Sequence, residues 1–170
     1  MSSGQMMLVI GAFMIFGIVR LNFQNTSMES EQYMESNTYV QQSATIARAM
    51  MDDIMTRPFD AILNTKSRIT STSELTSCGP GGGEHYPTFN DIDDFDGSVF
   101  RSPALGTTPS TIPACLYGTE GFTIRIKVEY VDANNPNNKS YVYTYAKRIT
   151  VAVSNDYSDY TFQTSTVDCY

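Results

Sequence analysis

The pattern of hydrophobic and polar positions opens with an uncharged, apolar segment. Residues 1–19 carry no charged side chain, and from Met6 to Val19 the chain reads MMLVIGAFMIFGIV. A helix that crosses a bilayer needs about 20 predominantly apolar residues. No basic residue precedes Arg20 and no small-residue cleavage site follows the apolar run, in contrast to a secretory signal peptide. The pattern therefore predicts an apolar helix over residues 1–24.

Three interpretations of this helix stay open: a single-pass membrane anchor, a buried core helix, and a helix that leaves the membrane and packs against copies of itself. The third interpretation gains weight from composition. Gly4, Gly11, Ala12 and Gly17 permit close approach of helix backbones, where lipid provides no hydrophobic drive between helices. Methionines add flexible side chains that fill irregular gaps between helices.

An amphipathic stretch follows over residues 25–63. It contains no glycine, and its only proline is Pro58, where we expect the helix to weaken. One helix face carries most of its apolar positions, namely Tyr33, Val40, Ala44, Ala47, Met51 and Ile54. A single helix over residues 1–63 would be about 95 Å long at 1.5 Å per residue. We therefore expect its apolar half to protrude from the rest of the chain.

Loop and strand signals fill the remainder. Residues 64–120 are rich in Ser, Thr, Gly, Pro and Asp, which predicts a loop-rich region. Residues 121–170 predict an antiparallel β-meander with strands over 121–132, 140–154 and 160–167 and a turn at 133–140. The first strand alternates strictly, as expected of a half-buried strand: its apolar face contains Phe122, Ile124, Ile126, Val128 and Tyr130, and its solvated face contains Arg125, Lys127 and Glu129. One apolar face of such a sheet needs a cover, which the helix supplies. The predicted fold class is α+β, a long N-terminal helix packed on a C-terminal antiparallel sheet.

Charge restricts the partners. The net charge is −7, and the longest run of basic residues is Lys147-Arg148. Nucleic acid is disfavoured as a partner, because phosphate binding needs clustered Lys and Arg.

The densest acidic cluster lies in the loop-rich region, just before Gly97, and comprises Asp91, Asp93, Asp94 and Asp96. Calcium takes hard oxygen ligands, so these side chains are candidate calcium ligands. Their spacing lacks the downstream glutamate of an EF-hand, and we favour a solvated turn or a helix cap. No metal and no other cofactor is predicted.

Enzymatic activity is not predicted. The glycine-rich segment CGPGGGEH lacks the Lys-Ser/Thr pair of a phosphate-binding loop. His85 is the only histidine, and no serine stands in a nucleophile-elbow motif.

Three cysteines, Cys78, Cys115 and Cys169, fit disulfide chemistry better than a metal site, because none forms a CxxC motif. Three pairings are possible. We favour Cys78–Cys115, which would close a loop of 36 intervening residues and contribute about 3–4 kcal/mol. Cys169 stays unassigned.

Several segments carry a family resemblance. The start, MSSGQMMLVIGAFMIFGIVRL, resembles the N-terminus of a mature type IV pilin. The segment ATIARAMMDDIMTRPFD is similar to the helix end of minor-pilin-like proteins, and NDIDDFDG and AKRITVAVS resemble later landmarks of that subgroup. The resemblance implies a pilin or pseudopilin fold and a precursor whose leader is cut after glycine by a prepilin peptidase. It also implies N-methylation of the new first residue.

Without a basic leader, we expect Met1 to be the mature N-terminus, with Gln5 as the alternative first residue. With Met1 first, Gln5 stands where the family carries a glutamate that pairs with a neighbour's N-terminal amine. Gln5 accepts a hydrogen bond but adds no charge, which an apolar filament core tolerates. The family's helix-breaking proline is also missing, so we expect a continuous helix with Gly17 as its weakest point.

The resemblance implies a structural subunit that polymerises into an extracellular type IV pilus-like filament. Its partners would be identical subunits, the inner membrane before assembly, the pilus assembly machinery and a prepilin peptidase. The predicted assembly residues are Met1, Gln5, Met7, Ile10, Gly11, Phe13, Met14, Gly17 and Arg20. The alternatives are a minor pilin or secretion-system pseudopilin that primes assembly, and a membrane-anchored adhesin or binding module.

Overall fold

One long helix and a five-stranded antiparallel sheet make up the fold of this computed structural model, which describes residues 3–103 and 110–170. Side chains at positions 29, 30, 32, 35 and 36 are outside that description. The elements are α1 (Ser3–Met55), β1 (Val99–Arg101), β2 (Phe122–Asp132), β3 (Asn135–Lys139), β4 (Ala146–Asn155) and β5 (Ser158–Cys169). The predicted α+β class is confirmed.

The chain divides into two compact units, Met1–Thr38 and Tyr39–Tyr170. The described part of the first unit is entirely α-helical, and its large apolar side chains are exposed. The second unit contains the end of α1, the loop-rich region and the whole sheet. The hydrophobic core belongs to the second unit.

Helix α1 ends at Met55, earlier than the predicted residue 63. Pro58 explains the end, because proline lacks an N–H and disfavours helical geometry at the preceding residue. The chain turns instead, and Asp60 caps a short 3-10 helix over Ala61–Asn64 by accepting a hydrogen bond from the Ile62 N–H at 3.1 Å. The proline thus frees Asp60 for a buried position.

The last turns of α1 pack on the sheet, as predicted. Their buried face comprises Ser43, Ile46, Ala47, Met50 and Ile54. The four apolar residues of this face join one core cluster with apolar side chains of β2 and β4, including Ile124, Ile126, Ile149 and Val151. The predicted stripe was therefore only partly right. Ala47 and Ile54 are buried, Val40, Ala44 and Met51 are half-buried, and Tyr33 is exposed in the first unit.

The sheet order is β1-β2-β4-β5, and β3 pairs with β2. The predicted meander corresponds to β2, β4 and β5, which are antiparallel neighbours. Two details of the prediction were wrong. Residues 135–139, expected in a turn, form β3, and residues 140–145, expected in a strand, do not. The exposed sequence NPNNK has no apolar alternation by which to recognise a strand.

Strand β2 confirms the predicted alternation on its apolar face, where Phe122, Ile124, Ile126 and Val128 are all buried. Its opposite face differs at Glu129, which was expected to be solvated but is buried. Three cations explain the burial of its carboxylate: Arg148 donates hydrogen bonds to Oε1, while Lys127 and Lys139 lie 2.9 and 3.9 Å from Oε2. A paired carboxylate tolerates burial far better than an unpaired one.

Candidate functional site

Strand β4 places a lysine in the protein interior. Lys147 shares its strand face with Ile149, Val151 and Val153, since alternate residues of a strand point to the same side of a sheet. Its side chain has no exposed surface. A buried ammonium group requires compensating charge and hydrogen bonds, and three acceptors surround it.

The acceptors come from two distant parts of the chain, the turn after α1 at residues 59–60 and Asp93 in the loop-rich region. Lys147 Nζ lies 2.6 Å from Asp93 Oδ2 and 3.5 Å from Asp60 Oδ2. It also donates a 2.6 Å hydrogen bond to the Phe59 carbonyl. Asp60 and Asp93 are both buried. We name Lys147, Asp60, Asp91 and Asp93 the lysine–aspartate cluster.

Aromatic rings enclose the cluster. Lys147 Nζ lies 4.1 Å from the ring centroid of Phe59 and 4.9 Å from that of Tyr130, its cross-strand partner on β2. A cation over an aromatic face is attracted by the ring quadrupole, more strongly where water is excluded. The Tyr130 hydroxyl donates a 2.7 Å hydrogen bond to the Thr76 carbonyl, which fixes the ring in place.

Asp60 is held as a carboxylate. Its oxygens accept hydrogen bonds from the backbone N–H groups of Ile62 and Thr76, at 3.1 and 2.9 Å, and from the Thr76 hydroxyl. Burial acts to raise the pKa of Asp60, but these donors and Lys147 outweigh it and hold the pKa below its usual value. Asp60 therefore supplies the fixed negative charge of the cluster.

In contrast to Asp60, both Asp91 and Asp93 have raised pKa values. Burial raises the pKa of Asp93, although Lys147 acts to lower it. Burial, with the nearby carboxylates of Asp93 and Asp94, raises the pKa of Asp91 to about 7. Asp93 Oδ1 is buried without a hydrogen-bond partner among the described residues. The cluster thus contains one stable carboxylate and two carboxyl groups inclined to hold a proton.

The four predicted calcium candidates do not form one ligand set. Asp94 Oδ2 accepts from the N–H of Asn90 and Asp91, and Asp91 Oδ1 accepts from the N–H of Asp94, so this pair closes a local turn. Asp96 Oδ1 accepts from the Val128 N–H at 2.8 Å and ties the turn to β2. The predicted turn is therefore present. The prediction that its aspartates are solvated is wrong, because Asp91, Asp93 and Asp94 are buried.

A different acidic trio, Asp60, Asp91 and Asp93, offers carboxylate oxygens within 4.8 Å of one another. Such a spacing can hold a metal ion. Here the Lys147 ammonium group already lies against two of the three carboxylates. The lysine therefore supplies the positive charge that the trio needs.

The favoured Cys78–Cys115 disulfide is wrong, since all three cysteines are free thiols. Cys78 lies beside the lysine–aspartate cluster, where burial and then the Asp93 carboxylate raise the pKa of its thiol to about 12. Cys115 instead lines a cavity together with Met50, Asp53 and Tyr86. Burial raises the pKa of Cys115 to about 11.

The predicted assembly residues lie on the first unit. Met1 falls outside the described residues, whereas Gln5, Met7, Ile10, Phe13, Met14 and Arg20 are exposed on α1, and Gly11 and Gly17 are half-exposed. By helical spacing, one face contains Met7, Ile10, Gly11, Met14 and Gly17. Gln5 lies away from that face. The segment Ser3–Met28, with a mean hydropathy of 2.0, is long and apolar enough to cross a membrane by length and composition.

Sequence reasoning missed the lysine–aspartate cluster. One signal for it was present, since in AKRITVAVS a lysine occupies the same alternate positions as the apolar Ile149, Val151 and Val153. Asp60 and the aspartates of the turn carry no comparable signal, because their approach to Lys147 depends on the path of a long loop.

Comparison with known proteins identifies neither the lysine–aspartate cluster nor the apolar segment of α1. Comparison of the chain with protein-family models, with curated proteins and with solved structures gave no match.

Proposed function

We propose that the chain is a structural subunit of a type IV pilus-like filament, assembled through the apolar part of α1. The observation that carries the proposal is the exposure of that segment. Over Ser3–Met28 the most apolar window of the helix has no buried residue. Large side chains such as Met7, Phe13 and Phe16 are each about two-thirds exposed or more, at 74, 71 and 66%. An apolar surface of this kind requires lipid or protein around it.

The composition of the helix supports protein as the final neighbour. Gly11 and Gly17 share a face with Met7, Ile10 and Met14. Small residues let helix backbones approach closely, and methionines fill the gaps that remain. An added Cβ at Gly11 or Gly17 would meet nothing within 4 Å among the described atoms, so folding of the subunit does not require either glycine. Close contact between subunits gives them a role.

The mechanism is physical. Subunits wait in the membrane with the apolar segment in lipid, and assembly transfers that segment into a bundle of identical helices. Because lipid and protein are similarly apolar, tight packing rather than hydrophobic burial must stabilise the bundle. Contacts between different surfaces of successive subunits do not close on themselves and produce an open helical fibre. The resemblance of the N-terminal segment to mature type IV pilins supports this sequence of events.

A photocrosslinking amino acid at Met14, which is 66% exposed on the proposed contact face, tests the proposal in the full chain expressed in its native cells. Sheared surface fibres should contain the protein, and irradiation should yield covalent multimers of the chain. The matched control carries the same amino acid at Tyr141, which is 93% exposed in the sheet-containing unit. That control measures crosslinking that does not depend on the apolar segment. Crosslinks from Met14 to lipid alone would contradict the proposal.

The same experiment separates the alternatives. A minor pilin or pseudopilin that primes assembly would crosslink to a different, more abundant subunit and form a small fraction of the fibre. A membrane-anchored adhesin or binding module would crosslink to lipid and remain with the cell envelope after shearing.

A further inference from the structure

Lys147, Asp93 and Asp91 combine a nucleophile, an electrophile and a proton-transferring acid. Lys147 Nζ lies 2.6 Å from Asp93 Oδ2, so the nitrogen already contacts the carboxyl group that it would attack. A carboxyl oxygen of Asp91 lies within 4.8 Å of one of Asp93. We propose that Lys147 and Asp93 condense into an intramolecular isopeptide bond, with Asp91 transferring the protons. This proposal does not depend on filament assembly.

The surroundings favour condensation over an ordinary ion pair. Lys147 and Asp93 are buried, and the rings of Phe59 and Tyr130 lie 4.1 and 4.9 Å from Nζ. Fixed proximity of two reacting groups replaces a bimolecular encounter and is equivalent to a very high effective concentration. A site closed to solvent also excludes the water that would hydrolyse the product.

Amide formation requires an uncharged amine and an uncharged carboxyl group. A proton that passes from the Lys147 ammonium group to the Asp93 carboxylate generates both at once. Burial disfavours charged forms, so the neutral pair costs less here than in water. Asp93 Oδ1 has no hydrogen-bond partner in the described part of the chain, which leaves the carboxylate form poorly stabilised.

The step is balanced. The lone pair of Lys147 Nζ attacks Asp93 Cγ, and the Nζ–Cγ bond forms. Asp91 gives its proton to one Asp93 oxygen, the bond between Cγ and that oxygen breaks, and the oxygen leaves as water. A proton from Nζ returns to Asp91, which is unchanged at the end. One amine and one acid become one amide and one water molecule, with no oxidant or reductant.

Asp93 rather than Asp60 is the electrophile. Asp60 accepts hydrogen bonds from two backbone N–H groups and from the hydroxyl groups of Thr76 and Tyr130, all of which stabilise its carboxylate. A carboxylate resists attack by an amine because its carbon is electron-rich. Asp60, 3.5 Å from Nζ, instead orients the amine towards Asp93. It is a positioning residue in this reaction.

The bond would join β4 to the Asp93–Phe95 turn across the loop-rich region. No disulfide supports this region, since all three cysteines are free. A covalent link between distant chain positions restricts the unfolded state and thereby stabilises the folded one. The isopeptide bond would therefore serve the stabilising role that the sequence suggested for a disulfide.

Mass spectrometry of the purified, denatured full chain tests the proposal. The intact mass should be lower than that of the polypeptide by one water molecule. Because other modifications change the intact mass, tryptic peptides decide the assignment. The expected product is peptide 69–101 joined to peptide 140–148, in which cleavage after Lys147 is blocked. Peptide 49–66 joined to 140–148 would instead identify Asp60 as the partner and overturn the assignment to Asp93.

Three variants complete the experiment. Lys147→Arg keeps the charge but lacks the amine, and should show neither the water loss nor the linked peptide. Asp91→Asn should slow formation of the link by roughly 100-fold or more, the usual contribution of a positioned acid. Lys127→Arg is the matched control, since Lys127 lies 2.9 Å from Glu129 but is exposed. It should retain the link between Lys147 and Asp93.

The wild-type chain alone can refute the proposal. The test therefore does not depend on whether the variants fold. A folded wild-type protein in which peptides 69–101 and 140–147 are separate, with Lys147 cleaved normally, would show that the pair remains ionic.

Discussion

The hydroxyl of Tyr130 donates a 2.7 Å hydrogen bond to the carbonyl of Thr76, and so links the centre of the sheet to the loop-rich region. Tyr130 is also the cross-strand partner of Lys147. Its ring lies against the ammonium group while its hydroxyl reaches the loop that supplies hydrogen bonds to Asp60. One side chain therefore positions both sides of the lysine–aspartate cluster.

Tyr130→Phe should destabilise the protein by about 1 kcal/mol, the usual net value of one hydrogen bond between uncharged groups. The ring, and with it the packing against the Lys147 side chain, is kept. Urea unfolding of the full chain in detergent, followed by near-ultraviolet circular dichroism, measures the change. Tyr141→Phe, at a side chain that is 93% exposed, is the control and should have no measurable effect. An unchanged urea midpoint in Tyr130→Phe would show that the hydrogen bond contributes nothing to stability.

The sequence predicted the helices and strands in which apolar side chains recur with a clear period. The buried positions Ile124, Ile126 and Val128 of β2 were predicted from strict alternation, and the helix over the sheet from its apolar stripe. The stripe was misplaced around Met51 because Met50 and Met51 are equally apolar, and only the sheet beneath decides which one is buried.

The lysine–aspartate cluster could not be predicted in the same way. Residues 60, 93 and 147 meet through long-range contacts that no local pattern encodes. The four aspartates of residues 91–96 were recognised, but their charge suggested solvent or calcium, and nothing in their spacing pointed to a lysine on β4 as the partner of Asp93. The free thiols could not be predicted either, because the spacing of cysteines along a sequence does not determine which of them meet in the fold.

Because the pKa of Asp91 is raised in the folded protein, ionisation of Asp91 should lower the stability of the protein as the pH rises. Its pKa is about 7 in the folded protein against an ordinary value of 3.8, so between these values the native state binds the extra proton. Its stabilising contribution is complete below the lower value and is lost as the pH rises through the upper one. The groups that face this carboxyl group are Asp93, Asp94 and Lys147.

Asp91→Asn removes this titration and retains the oxygen that accepts from the Asp94 N–H. Between about pH 5 and about pH 8, the free energy of unfolding of the wild type should fall by roughly 2–3 kcal/mol more than that of the variant. Parallel urea titrations at the two pH values measure the difference. Equal pH dependence in the two proteins would contradict the raised pKa of Asp91.

Met50→Ala should cost about 3 kcal/mol of stability, because it removes a fully buried side chain between α1 and the sheet and leaves a cavity. Met55→Ala is the matched control. Met55 belongs to the same helix but is exposed, and its loss should change stability by less than about 0.5 kcal/mol. Urea unfolding of both variants tests whether the helix end packs as described, and equal effects would contradict that packing.

Gly11 offers a test that separates folding of the subunit from assembly. A Cβ at this position would meet nothing within 4 Å among the described atoms. Gly11→Leu should therefore leave the fold intact and, by removing a glycine from a helix interior, favour the helix by about 1 kcal/mol. In a filament, the added bulk would separate neighbouring helices that require close approach.

The expected result for Gly11→Leu is normal protein level and circular dichroism with few or no surface fibres. Gly11→Ala, which adds one methyl group, should retain a large fraction of them, because alanine still permits close helix packing. Electron microscopy and quantification of sheared fibres measure both variants. If Gly11→Leu assembles as well as the wild type, the face that contains Met7, Ile10 and Met14 is not the contact between subunits, and a lipid environment for the segment becomes the better explanation.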